Sequence, residues 1–81
     1  MTESNVSRLA RIYNLDVGID VNNNITLHFD HGFVNDGPLL IGECGRGRTV
    51  EEAADDYYRK IRGKLIVIDR AYEQRKEFYV Y

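Results

Sequence analysis

Tryptophan is absent, and cysteine, proline and methionine occur once each among the 81 residues. The lone Cys44 excludes an intramolecular disulfide and a cysteine-rich metal site, so packing must hold the fold, as expected in a reducing compartment. Charge of one sign is lacking too. Eleven Lys and Arg against 13 Asp and Glu leave a formal charge of −2, which supplies neither the field of a nucleic-acid binder nor that of an acidic mimic. No run of about 18 apolar residues occurs, and the first residues contain no continuous apolar signal-peptide core. Neither a membrane span nor a secretion signal is therefore expected, and the sequence predicts a cytoplasmic protein. What is present is 43% hydrophobic and 30% charged residues, which predicts one domain over residues 1–81. A chain of this size buries roughly 60% of its unfolded surface.

Periodicity divides the chain into elements. Val6, Leu9, Ala10 and Tyr13 share one helical face, with Arg8 and Arg11 pointing away; Ser4 or Asn5 would cap this short helix and Asn14 would end it in a left-handed conformation. Alternation then takes over at Val17, Ile19 and Val21 and again at Ile25, Leu27 and Phe29, predicting a hairpin through Asn22, Asn23 and Asn24. Residues 30–38 collect glycine, aspartate, asparagine and the single proline, and predict a loop. Leu39, Leu40 and Ile41 are expected to form a strand covered on both faces, broken by Gly42, Gly45 and Gly47.

Thr49-Val50-Glu51-Glu52 fits a capping box and starts an amphipathic helix, with Val50, Ala53, Ala54, Tyr57 and Ile61 on its apolar stripe and Gly63 as its stop. Asp55 with Arg59 and Asp56 with Lys60 stand at favourable spacing. Leu65 to Ile68 reads as a central strand, and Phe78 to Tyr81 as a final alternating one after a charged connector. The predicted fold class is α+β, in the order α-β-β-β-α-β-β, with helices packed on a mainly antiparallel sheet.

Two strands apolar on both faces exceed what one long helix covers, so a second chain is expected on the remainder. The terminal strand points the same way. Tyr58, Phe78, Tyr79, Val80 and Tyr81 are the predicted interface residues, of a homodimer or with another protein, because tyrosine buries large area with a polar tip. Tyr72 is placed with the partly exposed tyrosines.

Gly42-Glu43-Cys44-Gly45-Arg46-Gly47-Arg48-Thr49 has the spacing of a phosphate-binding loop with Arg48 in the lysine position, and Asp69 follows an apolar strand as a magnesium-binding aspartate would. Simpler reasons suffice for most of it, since glycines permit a strand-to-helix turn and Thr49 serves as a cap. Arg46 and Arg48 remain candidates for contact with an anion or a partner. The alternative is a solvated turn that offsets Glu51 and Glu52. His28, Asp30 and His31 form an imidazole cluster without metal-ligand spacing, and Cys44 has no histidine spaced to activate it. No catalytic residue, metal or cofactor is predicted.

The residues Gly45, Gly47, Thr49, Glu51, Glu52, Ala53, Asp56 and Tyr57, written G-x-G-x-T-x-E-E-A-x-x-D-Y and followed by Gly63-Lys64 and an apolar strand, resemble a pattern of small bacteriophage-encoded proteins of undefined function. The strand, glycine and Thr-Glu-Glu-Ala portion is also similar to the HicB-type antitoxin fold, a small αβ module that neutralises a toxin by binding it. The likeness covers about the C-terminal half. It implies a non-enzymatic accessory or inhibitor protein acting by protein–protein contact in a bacterial host, with a defence or toxin system as the kind of target that fits the resemblance. A small nucleic-acid- or phosphate-binding module using Arg46 and Arg48 is the alternative.

Overall fold

The computed structural model describes residues 3–69 and 75–81; Tyr72 lies outside them. In chain order the elements are α1 (Asn5–Ile12), β1 (Leu15–Ile19), β2 (Ile25–Phe29), β3 (Gly32–Asp36), β4 (Leu39–Ile41), β5 (Gly45–Gly47), α2 (Val50–Ile61), β6 (Leu65–Ile68) and β7 (Lys76–Tyr79). The described strands make two antiparallel sheets, β1-β2-β5 and β4-β3-β6-β7. The fold is α+β, as expected, with two strands more than the sequence predicted.

Both added strands arise from residues that read as turns. The loop expected at 30–38 contains β3, which pairs with β4 and with β6. Glycine, asparagine and aspartate mask it, but Phe33 and Val34 supply one residue for each sheet face. The glycine segment after Cys44 is likewise a strand, with Leu27 opposite Gly45 and Ile25 opposite Gly47. The Gly45 and Gly47 amides therefore face β2 in a ladder and not a phosphate, which corrects the loop-like reading of that motif.

Helix ends follow local chemistry. Ser4 caps α1 by accepting from the Ser7 N–H at 3.2 Å, and the helix ends at Tyr13 in extended backbone, not at a left-handed Asn14. Thr49 Oγ1 accepts from the Glu52 N–H at 3.1 Å, while the Glu52 carboxylate reaches the N–H of Arg48, at 3.5 Å, instead of that of Thr49. α2 ends at Arg62, whose ψ of 131° leaves the helical region, and Gly63 follows at φ +78° in a tight turn closed by the Lys64 N–H donating to the Ile61 carbonyl at 3.0 Å, so the expected glycine stop is the second corner of that turn. In α1 Leu9 is buried, whereas Ala10 is exposed and Arg8 lies over the Tyr58 ring instead of pointing away.

Leu9, Leu27, Phe29, Val34, Ala53, Ala54, Tyr57, Ile61, Ile66, Ile68 and Val80 form the core. Phe29 joins its parts, with the Tyr57 ring edge-on at 5.6 Å and the Phe78 ring edge-on at 5.5 Å. In β6, Ile66, Val67 and Ile68 are fully buried, which fits a central strand. β4 is different: it lies at a sheet edge with Leu39 and Ile41 exposed, which corrects the expectation that it is covered on both faces.

Helix α2 lies directly on β5. A Cβ built on Gly45 would fall on the Ala53 carbonyl oxygen and within 2.5 Å of the Tyr57 nitrogen, and one on Gly47 would come within 2.5 Å of the Glu52 Cβ. The two glycines are the room that lets the helix backbone reach the sheet.

Candidate functional site

The interface residues expected at the C-terminus separate into two groups. Val80 is buried, and Phe78 is half-buried against Phe29, so both serve the core. Tyr58 is half-buried and donates its hydroxyl hydrogen to the Tyr81 carbonyl at 2.5 Å. Tyr79 and Tyr81 are exposed. The free aromatic edge is therefore reduced to these two rings, because the chain turns inward at Val80, whose carbonyl accepts from the Gly63 N–H.

Arg46 and Arg48 are not equivalent. Arg46 stands opposite Thr26 on the sheet face away from α2, and its Nε lies 3.4 Å from Asp20 Oδ2. Asp20 also accepts from the N–H groups of Asn22 (2.8 Å) and Asn24 (3.0 Å), and thereby shapes the β1–β2 turn, in which Asn23 takes φ 62°. The Asn24 hydrogen bond is the main cause that holds the Asp20 carboxyl below its ordinary pKa. The Arg48 side chain is exposed and has no ion pair among the described residues. Around it the helix start is already occupied by Glu51 and Glu52.

The Arg46 N–H points off β5 and donates to Asp56 Oδ2 at 2.9 Å, while Asp56 also receives Lys60 at 2.8 Å and Arg59 at 2.5 Å. Burial pushes this carboxyl upward, but the Lys60 and Arg46 hydrogen bonds and the nearby charges hold it below the ordinary aspartate value. Asp56 thus closes the free side of β5 and fastens it to α2. Asp56→Ala is expected to cost about 2 kcal/mol, read from urea unfolding. Because the folded pKa is depressed, its stabilisation is full above the unfolded value of 3.8 and is lost as pH falls through the lower folded value. Asp56→Asn should flatten that acid limb, and an unchanged limb would refute the assignment.

A cleft of about 420 Å³ lies where Asp16, His28, Asp30, His31, Glu43 and Cys44 come near one another. His28 Nδ1 is 2.8 Å from the Phe29 carbonyl, so Nδ1 carries a proton and donates, leaving Nε2 3.5 Å from Asp16. His31 Nε2 lies 3.6 Å from Asp30. The histidines thus form two separate carboxylate pairs, both too long for direct hydrogen bonds. Among the described residues no three His, Cys, Asp or Glu side chains converge as metal ligands would.

The feature that sequence reasoning missed is the outer side of β1. Helix α2 covers β2 and β5 but stops short of β1, leaving Val17 47%, Ile19 69% and, in the following turn, Val21 98% exposed. Their alternation was visible, but not that the strand would end up at an edge with its apolar face half covered. Among the described residues no helix is long and apolar enough to cross a membrane. No protein-family model, curated protein or solved structure matches this chain.

Proposed function

We propose that this chain acts by protein–protein contact, as a small non-enzymatic accessory or inhibitor protein of the phage type, and that β1 and its exposed apolar residues are the surface it uses. The observation that carries this reading is the run of Val17, Ile19 and Val21 beside an open strand edge. Contiguous apolar surface next to unpaired main-chain groups is how a sheet accepts another strand. Titratable groups give no comparable support for catalysis, because the cleft histidines pair separately with carboxylates instead of aligning a base with a nucleophile.

Immobilised protein is expected to retain a binding partner, either another copy or a component of a bacterial lysate, and Ile19→Lys is expected to reduce capture at least about tenfold. Tyr79→Ala serves as the comparison on the other sheet. Capture that falls with Tyr79→Ala and not with Ile19→Lys would move the surface to the C-terminus, and no capture of either kind would end the reading.

The nucleic-acid or phosphate alternative rests on Arg48, since Arg46 is engaged by Asp20. Weak binding of single-stranded oligonucleotide at low salt, abolished by Arg48→Ala and little changed by Arg46→Ala, is its expected signature.

A further inference from the structure

We infer that the partner of β1 is a second copy of the same chain, paired antiparallel with Val17 on the two-fold axis. The inference rests on the contact surface proposed above and adds its occupant and register.

Hydrogen bonding on the inner side of β1 determines what its outer side offers. The Asp30 N–H donates to the Asn14 carbonyl at 2.9 Å and the Asp20 N–H to the Asn24 carbonyl at 2.9 Å, at the two ends of the β1–β2 register. Asn14 and Asp20, which flank β1, are both even-numbered. Alternation of the antiparallel ladder then directs the N–H and C=O groups of Asp16 and Gly18 toward β2, and those of Leu15, Val17 and Ile19 outward. Only a register that places odd residues opposite odd residues lets two such edges bond each other.

Five registers of that kind are centred within the strand; those on Leu15 and Ile19 overlap the two strands by a single residue, and charge separates the other three. Centred on Asp16, the pairing opposes two Asp16 carboxylates. Centred on Gly18, it opposes Asp16 and the partner's Asp20. Centred on Val17, it places Asp16 opposite the partner's Gly18, Leu15 opposite the partner's Ile19, and Asp20 opposite the partner's Asn14. Like charges directly opposite destabilise a strand pair, so the Val17 register is the one free of that penalty. It also puts Leu15, Val17 and Ile19 of both copies on one face, the same face that α2 covers farther along the sheet. The result is a continuous six-stranded sheet, β5-β2-β1 from each copy, whose central apolar ladder sets Leu15, Val17 and Ile19 of the two copies side by side.

The other edges are guarded. Asp56 occupies the outward N–H of Arg46 on β5. β4 has three residues and follows Pro38 directly, and β7 begins with Lys76 and Glu77. Charge, proline and shortness are the devices that keep edges from pairing, and among the described strands β1 has the longest edge without a lysine or proline.

Sedimentation over about a hundredfold range of concentration is expected to show a monomer–dimer equilibrium. Val17→Lys, which sets two ammonium groups together on the axis, should weaken the dimer at least about tenfold, with Ile19→Lys as a second variant and circular dichroism confirming that each stays folded. The register has its own readout. In a Cys44→Ser background, Val17→Cys brings paired Cα atoms to about 5.5 Å, inside the disulfide range, and should cross-link on mild oxidation. Leu15→Cys leaves its copies about 14 Å apart and should not. A monomer at every concentration, or cross-linking by Leu15→Cys and not by Val17→Cys, overturns the proposal. A monomer that still captures a different protein, with capture lost in Ile19→Lys, overturns self-pairing and leaves the contact surface standing.

Discussion

Gly45→Ala is expected to lower the melting temperature by about 12 °C or more, the equivalent of about 3 kcal/mol in a domain of this length. The new methyl group would fall on the Ala53 carbonyl oxygen and the Tyr57 nitrogen. These are backbone atoms in the middle of α2, so no rotamer change relieves the clash, and the helix must lift from β5. Lifting it would strain Ala53, Ala54, Tyr57 and Ile61 together, all of them buried. Total stability for 81 residues is expected at about 4–12 kcal/mol, so the loss takes a large share of it. A melting temperature within about 3 °C of the parent would mean that α2 does not lie against β5 as described. Gly37→Ala is a useful contrast, since nothing lies within 4 Å of its built Cβ and only its φ of +62° resists the change.

Tyr57 carries the second large effect, and its hydroxyl explains it. β5 begins opposite Leu27, so the next outward N–H on β2, that of Phe29, has no ladder partner. The Tyr57 hydroxyl oxygen accepts that hydrogen at 3.1 Å inside the core. Tyr57→Phe leaves the buried N–H without an acceptor and should cost about 1–3 kcal/mol.

Alkaline pH tests the same group without mutation. Burial is the main cause that pushes the phenol up to about 12 from 10.0, opposed by the Phe29 hydrogen bond and assisted by the charges of Glu43 and Cys44. A folded pKa above the unfolded one means that this stabilisation is complete below pH 10 and is lost as pH rises toward 12, by about 2–3 kcal/mol. The loss should disappear in Tyr57→Phe, where no phenol titrates. Equal alkaline slopes in parent and variant would show that Tyr57 is not the group responsible.

Much of this architecture is written locally. Thr49 three residues before Glu52 and the apolar stripe from Val50 to Ile61 specify α2 by capping and periodicity, and the structure has both, while Gly63 takes its positive φ in the turn after the helix has ended at Arg62. The first hairpin is equally local, with Asn23 taking the positive φ expected of its connector. The strands β3 and β5 are hidden in the sequence because their residues are those of turns. Gly45 and Gly47 have no side chain to alternate, and what makes them a strand is pairing with β2 and the pressure of α2 above. Edge residues defy local reading for a related reason: Val80 and Ile41 are both aliphatic, yet one is buried and the other exposed. Hydrophobicity states a preference for burial, and only the arrangement of neighbours satisfies it.

The candidate surface divides in the same way. Arg46 and Arg48 stand out in the sequence because arginines among glycines call for a reason, and for Arg46 that reason is Asp20, twenty-six positions earlier and brought alongside by the β1–β2–β5 sheet. The sequence alone determined the α+β class, the two helices, the hairpin and the absence of disulfide support, because capping, periodicity and composition act within a few residues. Only the tertiary structure decided that the glycine motif is a packed strand, that the terminal strand turns inward and that β1 is left open, because each depends on which distant segment lies across it.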